Sequence, residues 1–255
     1  MNDAPSPFDL TGRVALVTGA NSGIGQAIAI ALARAGADIA AVGRTAPEAT
    51  AQAVVGAGRR LEFFETKLED VAALARAVGA AERAYGRLDV LVNNAGTIRR
   101  ADALDVTEPD WDAVVDLNLK SVFFLAQAFA RALLARGAPG KIVNVASLLS
   151  FQGGVRVASY TASKSGLVGL TRLLANEWAP RHINVNAIAP GYVETANTQA
   201  LRDDAERHRA ILARIPAGRW AVPADLGGAA VFLAAPASDY VHGAVLPVDG
   251  GWLAR

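Results

Sequence analysis

Arg13-Val-Ala-Leu-Val17 runs straight into Thr18-Gly-Ala-Asn-Ser-Gly-Ile-Gly25 and then into Gln26 to Ala35. The first run is apolar and β-branched, as a buried strand is; the last has helical spacing. Three glycines join them. Gly19 permits a sharp turn, Gly23 lets the backbone approach a pyrophosphate, and Gly25 lets helix and sheet pack closely. The free N–H groups and dipole at the start of the helix then favour phosphate, drawing Asn21, Ser22 and Ile24 into the same site. An ordinary glycine turn is the plainer reading. The strand–turn–helix setting is what a phosphate-cradling loop requires, and it favours the first.

Working outward, apolar runs recur at Asp38–Val42, Leu61–Thr66, Leu88–Val92, Lys141–Ala146, Ile183–Ile188 and Ala244–Val248. Helical spacing fills Gly23–Ala35, Val71–Ala84, Trp111–Ala135, Ala158–Trp178 and Ala224–Ala234. The strand runs are apolar on both faces, so helices must cover each side of a parallel sheet. With right-handed crossovers this predicts an α/β fold: a Rossmann-like, doubly wound, seven-stranded parallel sheet with helices on both faces. No linker, charge block or internal period divides residues 1–255, which read as a single dinucleotide-binding catalytic domain.

Composition narrows the function. Of 255 residues, 25 are Lys or Arg and 24 Asp or Glu, a formal charge of +1, far from the basic field that nucleic acid demands. Met1–Leu10 has no basic region followed by an apolar one, so a secretory signal is not expected. The apolar stretch Leu226–Ala237 is too short to span a bilayer, and no membrane partner is expected. Cysteine is absent, which excludes a disulfide framework and suits the cytoplasm. His182, His208 and His242 are scattered, so no metal site is expected.

Candidate reacting groups lie farther along. In the helix over Ala158–Trp178, Tyr160 and Lys164 share a face one turn apart. A free phenol, with a pKa near ~10, is a poor base. A neighbouring ammonium and a positive nicotinamide would stabilise the phenolate, making Tyr160 proton donor in reduction and acceptor in oxidation. Ser147 closes the strand Lys141–Ala146, where its hydroxyl can hold a substrate oxygen beside that phenol; otherwise it caps a turn. Asn118 sits in a long apolar helix that an amide disfavours. It would hold a water linking Lys164 to solvent, or serve as a satisfied buried amide. The second strand ends in Gly43-Arg44 with no carboxylate to repel a 2′-phosphate, and Arg44 could pair with one or remain a solvated loop cation. The coenzyme is NADP or NAD, with NADP slightly favoured.

The loop Thr18-Gly-x3-Gly-x-Gly25, Asn93-Asn-Ala-Gly96, Asn118, Ser147, Tyr160-Thr-Ala-Ser-Lys164 and Pro190-Gly-Tyr-Val-Glu-Thr195 together resemble the short-chain dehydrogenase/reductase family. The motifs extend from Thr18 to Gly251. The resemblance implies a hydride transfer between a nicotinamide and a carbonyl or secondary alcohol. It further implies that Lys164 reaches the nicotinamide ribose, that Asn94, Ala95 and Gly96 line the adenosine-ribose side, and that the Val193 backbone and Thr195 hold the nicotinamide amide and diphosphate. One departure stands out. Lys67 occupies the place of an Asp that usually lies near the adenine, leaving backbone contact from Leu68.

Further stretches resemble a subgroup acting on keto-deoxy sugar acids: Asn94 to Asp102, Ser150-Phe-Gln-Gly-Gly-Val-Arg156, Asn197 to Arg202, Arg214 to Trp220, and Asp249 to Arg255. A sugar acid needs a cation, and Arg99, Arg100 and Arg156 fall in loops near the expected mouth, unless they are solvated rim charges. Gln152, Tyr192 and Trp220 could meet hydroxyls or cover the pocket. That subgroup usually uses NAD, against the reading of Arg44. The resemblance also implies a homotetramer, built on the C-terminal strand and the helices at 111–135 and 158–179. Another sugar acid, an acyl thioester, or a dinucleotide-binding regulator without turnover are the alternatives.

Overall fold

The computed structural model describes residues 6–255; the first half of the Met1–Leu10 segment, read above for a signal, lies outside them. Seven strands form one sheet: β1 (Val14–Thr18), β2 (Asp38–Gly43), β3 (Leu61–Glu65), β4 (Val90–Asn93), β5 (Gly140–Val145), β6 (Ile183–Pro190) and β7 (Val245–Val248). Their order is β3-β2-β1-β4-β5-β6-β7, and every pairing is parallel. The chain winds outward from β1 to β3, then returns to lay β4 on the other side of β1. That reversal opens a crevice above the carboxyl ends of β1 and β4, where ligands of such sheets sit.

Helices cover both faces: α1 (Gly23–Arg34), α2 (Glu48–Gly56), α3 (Val71–Tyr85), α4 (Glu108–Val115), α5 (Ser121–Ala135), α6 (Ala158–Trp178), α7 (Gln199–Asp203), α8 (Ala205–Arg214) and α9 (Gly227–Ala234). Alternate residues of β1 feed two cores. Ala15 and Val17 join Ile28 and Leu32 of α1 and Ala230 and Leu233 of α9. Val14 and Leu16 join Leu74 and Val78 of α3 and Phe129 and Leu133 of α5. Each fully buried Leu or Phe contributes about 1.5–3 kcal/mol, so both faces of the sheet are strongly held.

The helix expected over Trp111–Ala135 is not continuous: a π-helical turn, Asp116–Lys120, separates α4 from α5. Taken as one rod, Glu108–Ala135 is long and apolar enough to cross a membrane by length and composition, with half of its most apolar window buried. Packing explains that apolarity. Leu125, Phe129 and Leu133 of α5 are buried in the core shared with Leu74 and Val78 of α3. Ala224–Ala234 likewise divides into a 3-10 turn, Pro223–Leu226, followed by α9. Helices α2, α7 and α8 carried no clear periodic signal, because each buries few side chains: α8 buries only Ile211.

Candidate active site

The glycine loop adopts the backbone its sequence demands. Gly19 has φ +66° and Gly23 φ +56°, both in the left-handed region that L side chains avoid. Gly25 has no room for a side chain. A Cβ there would lie 2.2 Å from the Gly19 carbonyl oxygen and 2.3 Å from Asn94 Nδ2. Gly25, in the first turn of α1, therefore lets the helix close on the carboxyl ends of β1 and β4. Asn94 stitches that junction: its Nδ2 donates to the Thr18 carbonyl at 3.0 Å, and the Thr18 hydroxyl accepts from Asn94 and Ala95 N–H, each at 3.0 Å. Asn93 reaches the next strand, donating to Asn144 Oδ1 at 2.9 Å, as a brace at the sheet centre.

This junction is the floor of a cleft of about 620 Å³. Gly19, Asn21, Ser22, Gly23, Ile24 and Gly25 line it, with Arg44, Leu68, Asn94, Ala95, Gly96, Val193 and Thr195. Every residue expected at the dinucleotide thus faces one space. Ser22 makes no side-chain cap to α1, and the first turn of α1 holds no acidic residue. Its N–H groups and positive dipole end are free for an anion, and the chain fits a pyrophosphate there. Thr195 stands across the mouth, its Cγ2 3.5 Å from where a Gly23 Cβ would be. Arg44 is exposed at the cleft edge. Thr45, Glu69, Glu194, Asn197, Thr198 and Pro223 also line the cleft, and sequence reasoning missed them. Glu194, Asn197 and Thr198 lie within stretches already singled out, but no local signal set them apart from their neighbours.

At the far end of the same cleft stand Ser147, Tyr160 and Lys164. The Ser147 hydroxyl caps the 3-10 turn after β5, accepting from Leu149 N–H at 3.2 Å, and it faces the same cleft as the Tyr160 phenol, near enough to oppose the effect of burial on it. The capping and catalytic readings of Ser147 are therefore compatible. Lys164 is 4% exposed, and its Nζ donates to the Val145 carbonyl at 2.7 Å. That ammonium lies 5.7 Å from the centre of the Tyr160 ring.

The expected acidification of the phenol is absent from the chain by itself. Burial pushes the Tyr160 pKa up, against smaller opposing effects from the Ser147 hydroxyl and the charge of Arg100. Burial likewise lowers Lys164, to about 8. Desolvation dominates both groups, and Lys164 is not among the charges that lower the phenol.

Asn118 occupies the π-helical turn, fully buried. Its Oδ1 accepts from Thr97 N–H and its Nδ2 donates to the Thr97 carbonyl, both at 2.9 Å. Nδ2 also donates to Ser163 Oγ of α6 at 3.4 Å, so the amide is a satisfied buried one. A water toward Lys164 would need another partner.

The residues expected at the substrate divide. Ser147 and Tyr160 line the cleft; Arg99, Gln152, Arg156 and Tyr192 do not. Arg99 pairs with Asp110 at 3.6 Å and Arg156 with Asp102 at 3.2 Å, both more than half exposed. Gln152 accepts from Trp252 Nε1 at 3.3 Å. Tyr192 packs between Trp220 and Trp252, and His208 of α8 stacks on Trp220. These aromatics anchor the α7–α8 segment beside the cleft. The cation whose field reaches Tyr160 is Arg100, which donates to the Asn197 carbonyl at 2.9 Å in that same segment.

Comparison with known proteins agrees with this geometry. A family model described as enoyl-(acyl carrier protein) reductase matches residues 19–253. The chain is 56% identical over 248 residues to a 2-dehydro-3-deoxy-D-gluconate 5-dehydrogenase of Dickeya dadantii, covering 97% of this chain and 98% of that one. It is 55% identical to the Escherichia coli protein of the same name, covering 98% and 99%. Among solved structures, a candidate 2-deoxy-D-gluconate 3-dehydrogenase of Agrobacterium tumefaciens with bound NADP superposes with TM-score 0.94 at 58% identity, covering 98% and 100%. A gluconate 5-dehydrogenase of Burkholderia cenocepacia, in complex with NADP and tartrate, gives 0.92 at 40% identity, covering 98% of each chain. With its glycine loop, its Ser147–Tyr160–Lys164 group and relatives of this similarity along nearly its whole length, the chain belongs to the short-chain dehydrogenase/reductase family.

Proposed function

We propose that the chain is an NADP-dependent oxidoreductase acting between a keto and a hydroxy carbon of a deoxy sugar acid. The substrate is of the 2-dehydro-3-deoxy-D-gluconate or 2-deoxy-D-gluconate type. The observation that carries the reaction class is the gathering of Ser147, Tyr160 and Lys164 at one end of a cleft whose floor is the glycine loop. Names of the most similar relatives support the substrate class, and bound NADP in two neighbours supports the coenzyme reading of Arg44.

When bound, the coenzyme supplies or accepts the hydride. The chain does the rest. Ser147 Oγ donates to the substrate oxygen and fixes it beside the Tyr160 hydroxyl. Tyr160 gives its proton to the forming alkoxide in reduction and takes it back in oxidation. Burial keeps the phenol protonated, which suits it as the acid in reduction. Working as a base calls for added positive charge beside it, and a coenzyme that arrives oxidised brings such charge. Lys164 Nζ, held by the Val145 carbonyl, orients the ribose hydroxyls. Arg100 serves the substrate carboxylate better than Arg99 or Arg156, which are already committed to Asp110 and Asp102 on the rim.

Residues 1–255 are read as one catalytic domain, working in the cytoplasm as a homotetramer. A panel of 2-dehydro-3-deoxy-D-gluconate, gluconate and 3-oxoacyl thioesters, each with NADPH and NADH, tests the assignment by absorbance at the nicotinamide band. Turnover restricted to thioesters would reject the sugar-acid reading. Nicotinamide binding without any turnover would favour a regulator.

A further inference from the structure

We infer that Glu69 is the acceptor for the exocyclic amino group of the coenzyme's adenine, an inference that rests on the dinucleotide reading of the cleft. The direction of the dinucleotide follows from the sheet. Ser147, Tyr160 and Lys164 stand beyond β5, on one side of the glycine loop, so the nicotinamide lies there. With the phosphates on the loop, the other nucleoside extends over the carboxyl ends of β2 and β3. Those ends are joined: Gly43 pairs with Glu65, and Thr66 N–H donates to the Gly43 carbonyl at 2.8 Å. The segment Thr66–Asp70 therefore borders the same end of the cleft as Arg44.

Four side chains between Glu65 and Asp70 carry charge. Glu65 and Lys67 are exposed and do not line the cleft. Asp70 is occupied, its Oδ1 capping α3 by accepting from Ala72 N–H at 2.9 Å and Ala73 N–H at 3.2 Å. Glu69 alone both lines the cleft and keeps a buried carboxylate oxygen, Oε2, with no hydrogen-bond partner among the described residues. A buried acceptor left unpaired is costly, and a ligand that brings an N–H donor relieves it. The Watson–Crick edge of adenine offers such a donor, its 6-amino group, while buried Leu68 next door offers an apolar surface to the base.

The test is a cycle of equilibrium binding, read by tryptophan fluorescence, on the intact protein. The ligands are NADP and its analogue bearing hydrogen in place of the adenine 6-amino group. Wild type should bind NADP on the order of tenfold more tightly than the analogue, the range of a charge-assisted hydrogen bond. Glu69→Ala should weaken NADP by that factor and leave the analogue unchanged. Glu69→Gln, which keeps an acceptor oxygen, should retain most of the preference. Equal weakening of both ligands by Glu69→Ala, or no weakening of either, would overturn the proposal. Failure of wild type to bind either ligand would instead overturn the dinucleotide reading beneath it.

Discussion

Asn118 grips Thr97 by both ends of its backbone, Oδ1 on the N–H and Nδ2 on the carbonyl, each at 2.9 Å. The amide can do this because a π-helical turn breaks the helix where it stands. π-Turns recur at functional sites, since one extra residue per turn re-aims a side chain. Here the re-aimed amide sets the loop that follows Asn94-Ala95-Gly96, and a Cβ on Gly96 would meet Asn118 Oδ1 at 3.1 Å. Asn118→Ala should strip two backbone groups of partners and cost about 2–4 kcal/mol. Coenzyme affinity should fall with it. Chemical denaturation checks the first and fluorescence titration the second; a midpoint equal to wild type would contradict the positioning role.

Tyr160→Phe should lower kcat by about 10²–10⁴, the usual range for loss of a positioned acid–base group, while leaving NADP affinity within about twofold. Ser147→Ala should act in the same direction. Unchanged turnover in Tyr160→Phe would remove the catalytic assignment.

Lys164 predicts a pH dependence of stability in the coenzyme-free protein. Its folded pKa, about 8, lies below its ordinary 10.5. Between those values the unfolded chain binds more protons, so stability rises with pH. Below about pH 8 the cost of the buried charge, about 3 kcal/mol from the difference between about 8 and 10.5, is fully present. Lys164→Met should therefore gain stability over wild type at pH 7 and lose that advantage toward pH 10. Urea midpoints at both pH values decide it, and a pH-independent difference would refute the linkage.

Arg44→Asp should weaken NADP by about tenfold or more and NAD far less, because only NADP offers a 2′-phosphate to the guanidinium. Dissociation constants for both coenzymes check this. An equal loss for the two would place Arg44 outside the coenzyme site.

Among the rim arginines, Arg100→Gln should raise KM for a sugar acid about tenfold. Arg99→Ala and Arg156→Ala, each removing an exposed ion pair worth about 0–1 kcal/mol, should change KM less than twofold. A larger effect of Arg156→Ala would return the carboxylate to the loop beyond Ser150.

The sequence alone determined the architecture, because a parallel sheet covered on both faces leaves local marks: apolar runs, helical spacing between them, and glycines where φ must be positive. Ala158–Trp178 was legible to the residue, the first strand was legible to within one, and the loop from Gly19 to Gly25 with them. Tertiary structure decided what depends on partners distant in the chain. It closed Gly25 against Asn94, turned Asn118 toward Thr97, and desolvated Tyr160 so that burial outweighs the charge of Arg100. It also left Glu69 facing the cleft while Lys67 faces solvent. Residue type and spacing report the backbone a segment prefers. Burial and hydrogen-bond pairing are set only when segments far apart in sequence share one space.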